Sequence, residues 1–319
     1  MKLHLPNSAF LGNFEAFIRS FDLTQSGRLE ISANPKWISV HPAVLAMVAA
    51  MAQKVGAKNV SCEPFEAKSR HYFERMGLFR FLGIESGIMM NEHDSTGRFI
   101  PITQIRNSDE LTRFITEMVP LLHLEPQHSE PIRYVVSELV RNVLEHAQSE
   151  HGAFVAAQYY KKSNAIRIGI ADTGIGVRHA ILHSHRVPDD LSALKLALTP
   201  GITGTTDREG GTEYNAGAGL FFTKSIAHVN RDFFVIYSGN ALYKLLKSKT
   251  LKRTLHANPF EDRHTALSDL PSWPGTVVGI DLVLDANEAF SDLLDRIRQT
   301  YGEAIRNRRK ERQRKPKFT

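Results

Sequence analysis

Glu138-Leu-Val-Arg-Asn142, Asp172-Thr-Gly174-Ile-Gly176 and Asn215-Ala-Gly217-Ala-Gly219-Leu220 follow one another in that order, and their reading decides the fold. The first lies on a helix. Val135, Val136, Leu139, Val140, Val143 and Leu144 recur at helical spacing and form an apolar face. Glu138, Asn142 and Glu145 fall at i, i+4 and i+7 and share the opposite face. A carboxylate and an amide one turn apart suit Mg2+ and its waters, because this hard cation prefers oxygen. Taken alone, the same face also suits a solvated side of an amphipathic helix.

The second motif ends a strand. Ala165-Ile-Arg-Ile-Gly-Ile-Ala171 alternates and then becomes wholly apolar, as an inner strand does. Asp172 at its end places a carboxylate that can accept from an exocyclic amine such as adenine N6. Gly174 and Gly176 remove Cβ atoms where a flat ring must approach the backbone. The third motif, with Gly217 and Gly219, precedes a helix expected over Leu220 to Val229. Glycines there expose N–H groups that can hold phosphate oxygens. Between the second and third motifs, Val177 to Asn215 is rich in Gly, Thr and polar residues. It reads as a long mobile loop, and loops of that length often serve as lids.

These residues resemble the GHKL superfamily of ATP-binding domains, shared by gyrase-type topoisomerases, MutL mismatch-repair proteins, histidine kinases and anti-sigma-factor kinases. The resemblance covers about residues 105 to 285. Glu138 and Asn142 match its first motif, Asp172, Gly174 and Gly176 its second, and Gly217 and Gly219 its third. Thr276, in Pro274-Gly275-Thr276, matches the late threonine beside the adenine. The resemblance implies an α/β fold: a two-layer sandwich of a mixed, mainly antiparallel sheet with helices on one face. It implies Mg-ATP as ligand, with Glu138 catalytic, Asn142 on the Mg2+, and the other motif residues on the nucleotide. Lys195, Arg208 and Lys224 are candidates for a lid cation on the γ-phosphate, weighed against ordinary surface charge.

Residues 1–100 read as a separate small unit. Strands are expected at Arg28–Ser32, Trp37–Val40 and Asn59–Cys62, with helices over Ala43–Gln53 and Ser69–Met76. This alternation is similar to a STAS domain, the fold of anti-sigma-factor antagonists. At the strand-to-helix turn where that family carries a phosphorylatable serine, this chain has Ser39-Val-His41-Pro42. Ser39 lies inside the strand pattern, so a packing or partner-binding role is expected instead. A polar linker is expected over Met89 to Pro101. The domains are thus 1–100, an ATP-binding domain over 101–286, and a C-terminal helix with basic tail over 287–319.

The net charge of +6 sits in the last segment. From Glu303 to Thr319 there are eight Lys and Arg against two Glu, so the rest of the chain is neutral. Leu293, Ile297, Tyr301 and Ile305 give the preceding helix a narrow apolar stripe. The basic end suits phosphates of nucleic acid or a solvated terminus. Cys62 stands alone, so no internal disulfide forms; it reads as a small buried strand residue. His179, His183 and His185 lie close together without completing a metal set. With no apolar run long enough to span a bilayer and no signal-peptide core at the N-terminus, a cytoplasmic protein is expected.

A sensor histidine kinase needs a phosphoaccepting helix hairpin before residue 130, and none is legible. A gyrase-type machine needs a transducer after Leu284, where 35 residues follow. The expected function is a nucleotide-gated switch with slow ATP hydrolysis or serine-kinase activity on a partner protein; proteins of the family it resembles often dimerise, so a homodimer is a candidate assembly. The competing reading is an ATP-stabilised binding module whose basic tail contacts nucleic acid.

Overall fold

The computed structural model describes residues 1–24, 27–66, 69–88, 99–204, 218–248, 254–284 and 290–314. The N-terminal part holds β1 (Lys2–Leu5), β2 (Ser8–Ala9), α1 (Phe14–Ile18), β3 (Leu29–Ala33), β4 (Ser39–Val40), α2 (Pro42–Val55), β5 (Val60–Cys62), α3 (Arg70–Arg75) and α4 (Leu78–Leu82). Then come β6 (Phe99–Ile105), α5 (Ser108–Arg113), α6 (Pro126–His146), β7 (Ala153–Tyr160) and β8 (Ala165–Ala171). The chain continues through α7 (Gly176–Leu182), α8 (Asp190–Ala197), α9 (Gly219–Val229), β9 (Phe234–Gly239) and β10 (Ala241–Leu245). It closes with β11 (His264–Leu267), β12 (Trp273–Val283) and α10 (Phe290–Arg314). The fold is mixed α/β. No helix among the described residues is long and apolar enough to cross a membrane.

The large sheet has seven strands in the order β11-β10-β9-β12-β8-β7-β6. Every neighbouring pair in it is antiparallel, which corrects the expected mixed sheet. The reason is where β12 inserts. β8 and β9 run parallel to each other, joined by the α7–α9 crossover, and β12 enters between them and opposes both. The parallel pairs are confined to the small sheets, β1-β3-β5 and β2-β4.

Both faces of the large sheet are covered. On β8, Ile166, Ile168 and Ile170 point into the core built with α6, α9 and α10, while Ala171 joins the core built with α2. The same two-residue alternation divides Phe234 and Ile236 from Val235 and Tyr237 on β9. This double burial is why the inner strands read as unbroken apolar runs.

Helix α2 is buried at every position from Pro42 to Ala52. A helix apolar on all sides must be covered on all sides. It lies between the small N-terminal sheet and the face of β7 and β8. The contact with β8 is made at backbone distance: a Cβ on Gly169 would stand 2.0 Å from the Ala43 nitrogen. Residues 1–82 therefore share one core with the large sheet. Gly169→Ala is expected to cost about 1–3 kcal/mol, the usual cost of overpacking. Urea denaturation would measure it, and a change below about 0.5 kcal/mol would mean that α2 slides freely on the sheet.

His41 fixes the start of α2. Its Nδ1 accepts from Ala43 N–H at 3.0 Å, so Nε2 is the donor to Asp281 Oδ1 on β12, 3.1 Å away. Burial pulls the His41 imidazole below its ordinary pKa, with Asp281 opposing. Ser39 is half-buried within β4. Pro101, expected in the linker, instead lies inside β6. It is tolerated there because β6 is an edge strand whose pairing shifts register between Ile100 and Thr103. Phe99 and Ile100 of that linker also lie in β6, and residues 89–98 lie outside the described residues. Cys62 is half-buried rather than buried, and burial pushes its thiol up to about 12.

Candidate functional site

The three motifs meet at one cleft of about 620 Å3. It is lined by Glu138, Asn142, Asp172, Gly176, Gly219 and Thr276, among others. α6 supplies the first two, the end of β8 the third, the start of α9 Gly219, and β12 Thr276. Gly174 stands behind the wall: a Cβ there would lie 2.0 Å from the Ala147 carbonyl oxygen. Gly217 lies outside the described residues.

Asp172 is 1% exposed. Its Oδ1 accepts from Gly174 N–H at 2.8 Å and its Oδ2 from Thr276 N–H at 3.1 Å. Each carboxylate oxygen keeps acceptor capacity for a donor in the cleft. Burial pushes its pKa up to about 7, against the two backbone hydrogen bonds that lower it. Trp273 Nε1 donates to the Asp172 carbonyl at 3.0 Å, and Asp172 N–H donates to the Thr276 carbonyl at 2.9 Å. Gly275 makes this corner possible. Its φ is +106°, and a Cβ would lie 2.5 Å from Asp172 Oδ1. Ser238 on β9 ties the corner to α7, donating to the Gly275 carbonyl at 2.6 Å and accepting from Val177 N–H at 2.9 Å.

The other end of the cleft is built for charge. A Cβ on Gly219 would stand 2.6 Å from Glu138 Oε2, so α9 starts close against the tip of this side chain. The N-cap residue of α9, Ala218, makes no side-chain cap hydrogen bond. The first N–H groups of that helix therefore receive no cap from this residue. Asn142 Nδ2 is buried and has no hydrogen-bond partner among the described residues. Burial raises the pKa of Glu138, and Arg141, 3.8 Å away, opposes this. Glu145 is exposed at the rim. The arrangement offers an acceptor at one end, and the N-terminus of α9 beside a carboxylate and an amide at the other.

The lid departs from expectation. Within Val177 to Asn215, residues 176–182 and 190–197 are helical, and 205–217 lie outside the described residues. Ile181, Val187, Ala193 and Ala197 form a small buried cluster of their own, while Leu194 and Leu198 are buried in the main core with α6 and α9. Asp189 caps α8, accepting from Ser192 N–H at 2.7 Å. Among the cation candidates, Lys224 is neither in the lid nor on the surface. It is buried on α9 in an ion pair with Asp262 at 2.5 Å. Lys195 is exposed beside the Phe260 ring, and Arg208 lies outside the described residues. His183 and His185 bond to backbone carbonyls of Ala180 and Thr203, and no metal-binding group occurs among the described residues.

Sequence reading missed Ser238, Trp273 and Gly275 as supports of Asp172. Only Gly275 carried a local signal, as the residue before Thr276. Ser238 and Trp273 reach Asp172 through strand pairing, which no short-range pattern encodes. The chain matches no family model, and comparison with curated proteins and with solved structures gives no match either.

Proposed function

We propose that the cleft binds Mg-ATP and that the protein is a GHKL-type nucleotide-gated switch, with slow ATP hydrolysis or serine-kinase activity on a partner protein. The observation that carries this is the convergence of Asp172, Thr276, Asn142, Glu138 and Gly219 on one cleft of nucleotide size. Asp172 accepts the exocyclic amine at the closed end. The α9 N-terminus holds phosphate oxygens. Asn142 offers its side-chain oxygen to Mg2+, and the amide orientation that does so is the one its own unpaired nitrogen leaves open. Glu138 takes the proton of an attacking water or serine hydroxyl, a role suited to a carboxylate whose basicity burial has raised. The bound ion, when present, neutralises charge on the transferring phosphoryl group. The antiparallel sheet with α6 and α9 on one face supports the GHKL assignment. The strand and helix alternation of the first 82 residues supports the STAS-like one.

Asp172→Asn is expected to weaken ATP binding by about 1–3 kcal/mol. The amide turns a donor toward Gly174 N–H or Thr276 N–H, and it presents one acceptor fewer to the ligand. GTP, whose O6 is an acceptor, should bind poorly to the native protein. Equal ATP and GTP affinities in calorimetry would remove this assignment.

The pH dependence has a defined sign. Free Asp172 titrates near 7, well above the 3.8 of an ordinary aspartate, so folding binds a proton between those values. That stabilising contribution is complete below about pH 3.8 and is lost as pH rises through 7. A donor from the ligand favours the carboxylate, so binding releases a proton near pH 7 and affinity rises from pH 6 to 8. Calorimetry in buffers of different ionisation heat measures this release. Proton uptake on binding would overturn the orientation.

A further inference from the structure

The C-terminal helix packs on three segments that carry cleft-lining residues. Phe290, its first residue, packs on Tyr134 with ring centroids 5.9 Å apart, and Tyr134 lines the cleft. Tyr301 packs on Phe221 and Phe222 of α9, the helix that begins at Gly219. Arg308 donates from Nη2 to the carbonyl of Pro200, two residues before Ile202 of the cleft wall. Beneath, Leu293, Ile297 and Ile305 are buried.

The outer face of the same last turns is cationic. Arg306, Arg309 and Lys310 are exposed, and at i, i+3 and i+4 they share one side. Arg308 falls on the other side, toward Pro200. From Arg306 to Lys317 the sequence holds five Arg, three Lys and one Glu, and no apolar side chain except Pro316. A membrane-surface helix needs apolar side chains on one face to enter the bilayer, and the sequence from Arg306 to Arg314 holds none. Arginine's planar fork, by contrast, matches pairs of phosphate oxygens.

We propose that this face of α10 binds the phosphodiester backbone of nucleic acid, and that binding there strengthens nucleotide binding in the cleft. The linkage half rests on the nucleotide reading above. Its route is physical. Phosphates that clamp Arg306, Arg309 and Lys310 hold the same turns that present Arg308 to Pro200, and so hold the base of the lid. By reciprocity, a nucleotide that fixes the lid strengthens nucleic-acid binding by the same factor.

Fluorescence anisotropy with a labelled DNA duplex and a labelled single-stranded RNA, at about 50 mM salt, tests both halves. The full-length protein should bind at least one probe, and affinity should fall steeply with salt. Reversing three charges together (Arg306→Glu, Arg309→Glu, Lys310→Glu) should weaken binding about tenfold or more. The same variant should bind a non-hydrolysable ATP analogue normally when no nucleic acid is present. In the native protein the analogue should tighten nucleic-acid binding about threefold or more. Arg308→Ala should bind the probe but show no response to the analogue.

Absence of binding to both probes, or unchanged binding after charge reversal, overturns the proposal. So does equal binding to polyglutamate competitor or to vesicles of anionic phospholipid, which would make the surface a general polyanion or membrane site. Binding that ignores the analogue in the native protein overturns the linkage. If the analogue itself fails to bind, the nucleotide reading falls and takes the linkage with it. The phosphate-binding half is then decided by charge reversal alone.

Discussion

Glu138→Gln is expected to cut turnover about a hundredfold or more while leaving the affinity for Mg-ATP within a few fold, the usual signature of a lost general base. The substitution keeps the shape beside Gly219, against which the Glu138 carboxylate lies. It removes the basic oxygen, whose pKa burial has raised. Following labelled γ-phosphate in free and protein-bound fractions reads both outcomes of the chemistry, hydrolysis and transfer. Asn142→Ala provides the contrast. It should abolish the Mg2+ dependence of binding, because it removes an oxygen ligand. Turnover at the native rate in Glu138→Gln would discard Glu138 as the base and shift attention to Glu145 at the rim.

Lys224→Ala should be the most destabilising single change, at about 3–5 kcal/mol, because it strands a buried carboxylate. Lys224 and Asp262 are both fully buried, and their atoms meet at 2.5 Å. His228 Nδ1 lies 3.3 Å from the other Asp262 oxygen. Burial holds the Lys224 ammonium below its ordinary pKa, and the Asp262 charge works against that shift. Replacing both partners with apolar residues of similar volume, Lys224→Met with Asp262→Leu, should recover most of the loss. Thermal denaturation of the three proteins measures it. A single variant within about 1 kcal/mol of native would show that water reaches this pair. Since α9 also opens at the cleft, nucleotide affinity in the double variant separates stability from function.

Much of the helical and strand pattern was legible because it is local. The apolar spacing of Val135 to Val143 marks α6, and the run Ala165 to Ala171 marks an inner strand. The stripe Leu293, Ile297 and Ile305 marks α10, which continues as helix through Arg314 into the basic segment. The helices within the lid went unread beside its glycines and threonines, although Leu191, Leu194 and Leu198 recur at helical spacing and pack into the main core.

Two features needed the tertiary structure. One is the place of α2. Its unbroken apolar stretch requires cover on every side, yet periodicity does not say what covers it, and the cover is the back of the large sheet. The other is the closed end of the cleft, where Ser238, Trp273 and Gly275 hold Asp172 from strands distant in sequence. The sequence by itself determined which residue types stand at helix starts and strand ends, because backbone propensity and hydrophobic period act over a few residues. Strand order decided the rest. Insertion of β12 between β8 and β9 brings Thr276 to Asp172, and that pairing depends on contacts a hundred residues apart.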